Sequence, residues 1–120
     1  MKIAITATKN SPTGDIDPRF GRASFFAIYD TDDGTISFVD NNLNLSASRG
    51  AGIQAAQNVI ATGAKVVITG NCGPKAFKTL NAAKIKVSTG ASGNIEKIIE
   101  KYKRGEIKYT DLANVEGHWE

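Results

Sequence analysis

Apolar and polar positions alternate from the first residues of the chain. Between Lys2 and Lys9, Ile3 and Ile5 fall on one face and small residues on the other, the period-two pattern of a strand. Asn10 to Gly21 holds Pro12, Gly14, Pro18 and Gly21 and reads as a loop. Phe25 to Tyr29 is aromatic and apolar, a second strand. Asp32-Asp33-Gly34 follows, the residue type that a tight primed hairpin turn asks for. Ile36 and Phe38 then alternate around Ser37, predicting a third strand antiparallel to the second.

After residue 45 the period lengthens to that of a helix. Ile53, Ala56 and Ile60, joined by Ala55 and Val59, predict one inner face over about Gly50 to Thr62, with Gly63 as its stop. Ala64 to Thr69 is short and β-branched with no polar alternation, as a strand buried on both faces reads. Pro74 suits a first helical turn, and Ala76, Phe77 and Leu80 make an inner stripe behind it. Ile85 and Val87 alternate with Lys84 and Lys86, and lysines on a strand mark a protected sheet edge. Asn94 is placed to cap a last helix with Ile95, Ile98, Ile99 and Tyr102 inward. Glu100 and Arg104 are spaced to pair on its outer face, and Gly105 ends it.

The order is therefore βββαβαβα. Strands joined through helices pair in parallel with right-handed crossovers, whereas the hairpin-joined opening is antiparallel. The expected class is α/β, a mixed five-stranded sheet with flanking helices, in the element order of the ribonuclease H-like fold. With 120 residues and 12.8 kDa there is room for one core. We expect a single domain over residues 1–109 and a tail over 110–120, poor in apolar residues and partly mobile.

Composition narrows the function classes. Charged residues make up 22% of the chain and apolar ones 41%, a globular balance that argues against disorder. The longest apolar runs are far short of a membrane span, and Met1 leads straight into strand-like sequence without the pattern of a signal peptide. The expected location is the cytoplasm. Residues 49–109 carry eleven Lys and Arg against Glu96, Glu100 and Glu106. Six of those cations fall at edge-strand or outer-helix positions, so a solvated face explains them better than a nucleic-acid surface. One cysteine, Cys72, and one histidine, His118, exclude a disulfide framework and a multi-cysteine or His–His metal site within one chain.

Three helices are expected to begin just after glycine-rich turns: Arg49-Gly50-Ala51-Gly52, Gly70-Asn71-Cys72-Gly73-Pro74 and Gly90-Ala91-Ser92-Gly93-Asn94. In parallel units such turns share the carboxyl edge of the sheet, where open α/β proteins bind ligands. Helix starts offer N–H groups and partial positive charge, so the three together predict an anion-accepting cleft to which Arg49 adds full charge. No turn is a Walker loop and no dinucleotide fingerprint follows a strand, so a nucleotide cofactor is not expected. Cys72 at a helix start is a candidate soft-metal ligand, although a small residue filling a tight turn would read the same. A two-metal nuclease would need carboxylates on the central strand, and Lys2 to Lys9 has none. With the only histidine in the tail, no cysteine–histidine dyad is expected either.

Several strings taken together carry a family likeness. They are Phe20-Gly21-Arg22, the run from Gly50 to Ala56, the run from Val67 to Ala76, Lys84 to Val87 and Tyr102 to Gly105. This combination resembles the dinitrogenase iron–molybdenum cofactor biosynthesis family, the NifX-like proteins that include the C-terminal domain of NifB. The resemblance spans about residues 2–109. It implies a ribonuclease H-like fold without nuclease activity, and a non-enzymatic carrier of an anionic iron–molybdenum–sulfur type cluster. It also implies cofactor-assembly proteins as partners and a site of Arg22, Arg49, Gly50, Gly52, Asn71 and Cys72, with Cys72 as the metal ligand. One departure stands out. Members closest to nitrogenase often carry histidine near the first helix, and Leu45 to Arg49 has none. A regulatory or protein-interaction module that binds no cluster is therefore the alternative, and His118 and Trp119 in the tail are candidates to fold back over the cleft.

Overall fold

The computed structural model describes residues 1–41, 50–111 and 113. Strands β1 (Lys2–Ala7), β2 (Phe25–Asp30), β3 (Ile36–Asp40), β4 (Ala64–Ile68) and β5 (Lys86–Ser88) form one sheet in the order β3-β2-β1-β4-β5. β1 is central, antiparallel to β2 and parallel to β4; β2 pairs antiparallel with β3, and β4 parallel with β5. Helices α1 (Ala51–Thr62), α2 (Pro74–Ala82) and α3 (Ile95–Lys103) complete the βββαβαβα order. No helix among the described residues is long and apolar enough to cross a membrane.

The alternation along β1 sorts the core into two layers. Ala4 points into the layer that holds Ala55, Ala56 and Val59 of α1 and Ala76 and Leu80 of α2. Ile3, Ile5 and Ala7 point the other way, into the layer closed by Ile95, Ile98 and Ile99 of α3. Small residues make up the α1 contribution to its layer, and isoleucines that of α3.

Three local expectations need correction. The hairpin is wider than a two-residue turn: Gly34 N–H donates to the Asp30 carbonyl at 2.8 Å, and Asp30 N–H to the Thr35 carbonyl at 2.9 Å. Gly34 alone in this loop has positive φ, at 76°, whereas a primed two-residue turn needs two such residues or one at its first corner. The inner face of α1 is centred on Gly52, Ala55, Ala56 and Val59, which leaves Ile60 39% exposed at its margin. Arg104 pairs with Glu106 rather than with Glu100, Nε to Oε2 at 2.7 Å, because Arg104 caps the C-terminus of α3 and the chain turns there, bringing Glu106 two residues on within reach.

β5 is an edge strand, as the lysines predicted, and it is partly covered. Thr110 N–H donates to the Val87 carbonyl at 2.7 Å, and Lys86 Nζ stands 5.3 Å from the centre of the Tyr109 ring.

Candidate functional site

β1, β3, β4 and β5 all run in one direction, so their carboxyl ends and the starts of all three helices meet at one edge of the sheet. That much of the expected cleft is present. What the sequence did not convey is how the long loop between β1 and β2 uses it: residues 8–24 fold across this edge and stitch the turns together.

The stitching is mostly backbone. Asp17 N–H donates to the Thr6 carbonyl at 3.0 Å, while Thr6 Oγ1 lies 2.7 Å from the Asp17 carbonyl and 2.9 Å from Thr69 Oγ1. The two threonines are fully buried at the ends of neighbouring strands, so this hydroxyl pair satisfies polar atoms that water cannot reach. Phe20 N–H donates to the Asn71 carbonyl at 3.0 Å, and Asn71 Nδ2 to the Pro18 carbonyl at 3.0 Å. Asn71 thus holds the loop on the β4–α2 turn from both sides. Further along, Gly21 packs against the start of α1, where an added Cβ would come within 3.0 Å of Gly52 Cα.

The third turn is closed. Ile16 N–H donates to the Gly93 carbonyl at 2.8 Å, Ile95 N–H to the Gly14 carbonyl at 3.1 Å, and Asn94 Nδ2 to the Thr13 carbonyl at 2.8 Å. Asn94 Oδ1 caps α3 by accepting from Glu96 N–H at 2.9 Å. Gly90 and Ala91 donate to the Gly70 and Thr69 carbonyls. The cleft of three open turns is therefore corrected: α3 spends its start on the protein itself, and the starts of α1 and α2 remain at the edge, flanking the loop. Neither has a side-chain cap; Gly50 and Gly73 stand at those positions.

The candidate residues separate accordingly. Gly50, Gly52 and Asn71 lie at the two remaining helix starts, and Arg22 is exposed on the loop next to Gly21. Arg49, His118 and Trp119 lie outside the described residues. Cys72 is fully buried in the layer of Phe20, Ala55 and Ala76, its Sγ 3.7 Å from the Gly73 carbonyl. A sulfur in an apolar layer is the setting of an inert thiol rather than a reactive one. Among the described residues no three His, Cys, Asp or Glu side chains gather as a metal-holding group.

Arg19 was missed. It is bridged to Asn71 in parallel strand fashion, and its N–H donates to Asp17 Oδ1 at 3.0 Å. The only signal for it in the sequence is its place in the loop before Phe20-Gly21-Arg22.

A small α/β domain whose sheet edge, at the strand carboxyl ends, is roofed by an arginine-bearing loop is the class that the fold defines. Residues 1–105 match the family model described as dinitrogenase iron–molybdenum cofactor, and the chain belongs to that family. The apo form of the orange protein from Desulfovibrio gigas is similar at 38% identity and a TM-score of 0.91, over 95% of this chain and 96% of that one. A Thermotoga protein assigned provisionally to NifB and to the DUF35 family is similar at 26% identity and a TM-score of 0.75, over 95% and 98% of the two chains. An uncharacterised protein of Methanocaldococcus jannaschii is 26% identical over 90% of each chain.

Proposed function

We propose that this protein is a non-enzymatic carrier of an anionic metal–sulfur cluster of the iron–molybdenum type, acting with cofactor-assembly proteins in the cytoplasm. The observation that carries the reading is family membership across residues 1–105, joined to the convergence of the α1 and α2 starts and Arg22 at one sheet edge. Backbone N–H groups and helix dipoles favour an anion there, and no nucleotide motif competes for it. Gly50, Gly52, Asn71 and Arg22 would line the cargo, with Arg49 added from the sequence. Because Cys72 faces the core, the reading gives the cluster no protein thiolate; the cargo keeps its own ligands and is held by charge and hydrogen bonds. The ribonuclease H-like label belongs to the same proposal and is supported by the element order and by the antiparallel opening of the sheet. So does a domain boundary near residue 109.

Anaerobic reconstitution with iron, molybdenum and sulfide tests it. Stoichiometric metal on the desalted protein is the expected result, and colourless protein without metal would count against the reading.

The alternative, a protein-interaction module that binds no cluster, draws on a different surface. A groove of about 480 Å³ runs beside β5, lined by Phe77, Ile85, Val87 and Tyr109 with Lys84 and Lys86 at its rim. A stable protein partner recovered anaerobically with metal-free protein would favour it.

A further inference from the structure

The loop that roofs the sheet edge holds the backbone of one arginine, Arg19, in place. On one side of Arg19, Pro18 packs on the backbone of Gly70 and accepts from Asn71 Nδ2. On the other, Phe20 is 1% exposed, lies in a tilted ring contact with Phe26 at 5.7 Å and donates its N–H to the Asn71 carbonyl. The backbone of residue 19 is thus held at both neighbours and by its own N–H to Asp17.

The side chain is held less tightly. Its Nε lies 3.8 Å from Asp17 Oδ1, beyond hydrogen-bond length, and the side chain is 52% exposed while that of Asp17 is 8% exposed. A guanidinium has five N–H donors in a planar fork, and the contact with Asp17 engages the Nε end. An arginine on an ordered backbone needs less ordering to receive a ligand than one on a mobile loop. The pairing with Asp17 is loose, and half of the side chain is open to solvent.

We infer that Arg19 is an anion-binding residue of the proposed site, presented by the Asp17–Phe20 segment beside the Asn71 turn. This inference rests on the carrier reading, and it assigns charge recognition to the roof of the edge as well as to the helix starts.

The test uses the whole chain reconstituted with iron, molybdenum and sulfide, followed by elution of the metal with increasing salt. Arg19→Gln is expected to release metal at about half the salt concentration that wild type withstands, since one fewer cation opposes screening. Arg19→Lys, which keeps charge but loses the fork, should fall between the two. Lys65→Gln removes an equal charge from the amino end of β4, at the opposite end of the sheet, and should behave as wild type. Melting curves of all four are expected to coincide; were Arg19→Gln to unfold, Arg19→Lys alone would be read. Arg19→Gln matching wild type, or Lys65→Gln shifting as far as Arg19→Gln, would overturn the inference and leave the carrier reading standing. Wild type that retains no metal would overturn both.

Discussion

Gly70 lies directly against Pro18: a Cβ built on Gly70 would stand 2.8 Å from the Pro18 carbonyl oxygen and 2.9 Å from its Cα. Both are backbone atoms, so nothing flexible can give way. Gly70→Ala is therefore expected to destabilise the fold by about 1–3 kcal/mol, the usual range for overpacking. It should also lift the loop, read as faster hydrogen exchange at the Phe20 amide that donates to Asn71. An unchanged exchange rate there would show that the loop is not seated on this turn.

Cys72 should behave as a core residue. Its thiol is expected to resist alkylation in the native protein and to react once denaturant opens the layer around Phe20 and Ala76. Cys72→Ala should cost about 1–2 kcal/mol through lost packing and leave metal retention after reconstitution unchanged. Rapid labelling of the native thiol would contradict this burial.

Asn94 joins two tasks, capping α3 through Oδ1 and holding the loop through Nδ2. Asn94→Ala removes both and should cost about 1–2 kcal/mol. Asn94→Asp keeps the cap and loses the donation to Thr13, so its melting point should lie between those of wild type and Asn94→Ala. If the aspartate variant melts with the alanine one, the tether to the loop outweighs the cap.

Asp33 predicts a small acid dependence at the far end of the sheet. Hydrogen bonds from the Thr35 backbone N–H and hydroxyl, at 2.9 and 2.7 Å, hold its carboxyl below the ordinary value of 3.8. With the folded value depressed, the stabilisation is complete above the unfolded value and is lost as pH falls through the folded one. Full exposure keeps the effect small. In an NMR titration, Thr35→Val should move the Asp33 midpoint upward; an unmoved midpoint would show that the hydroxyl contributes nothing.

The sequence carried most of the fold because the signals concerned are local. The isoleucines of α3 repeat at helical spacing behind a capping asparagine, and both features form within a few residues. Lys84 and Lys86 around Ile85 announced an edge strand without reference to any partner. Even the common edge shared by the helix starts followed from strand order and the handedness of crossovers. The errors lie where a local pattern is ambiguous by one position, as at Ile60. They lie also where the turn after a helix brings a second partner within reach, as at Arg104.

The site was only half legible. Gly50, Gly52 and Asn71 could be placed by their turns, but the turn of Gly90 to Asn94 looked as open as the other two. Its closure depends on Thr13, Gly14 and Ile16, some eighty positions away in the chain. Likewise the inward turn of Cys72 depends on Phe20 and Ala55 arriving from other elements.

By itself the chain's pattern determined which segments become strands and helices, which faces they bury and which edge collects their starts, since periodicity and capping act over a few residues. Only the tertiary structure decided that the loop after β1 roofs that edge, that α3 is spent on holding it, and that Arg19 is fixed there. Those outcomes rest on backbone groups meeting across long separations, and a hydrogen bond between Asn71 and Pro18 leaves no trace in the spacing of side chains.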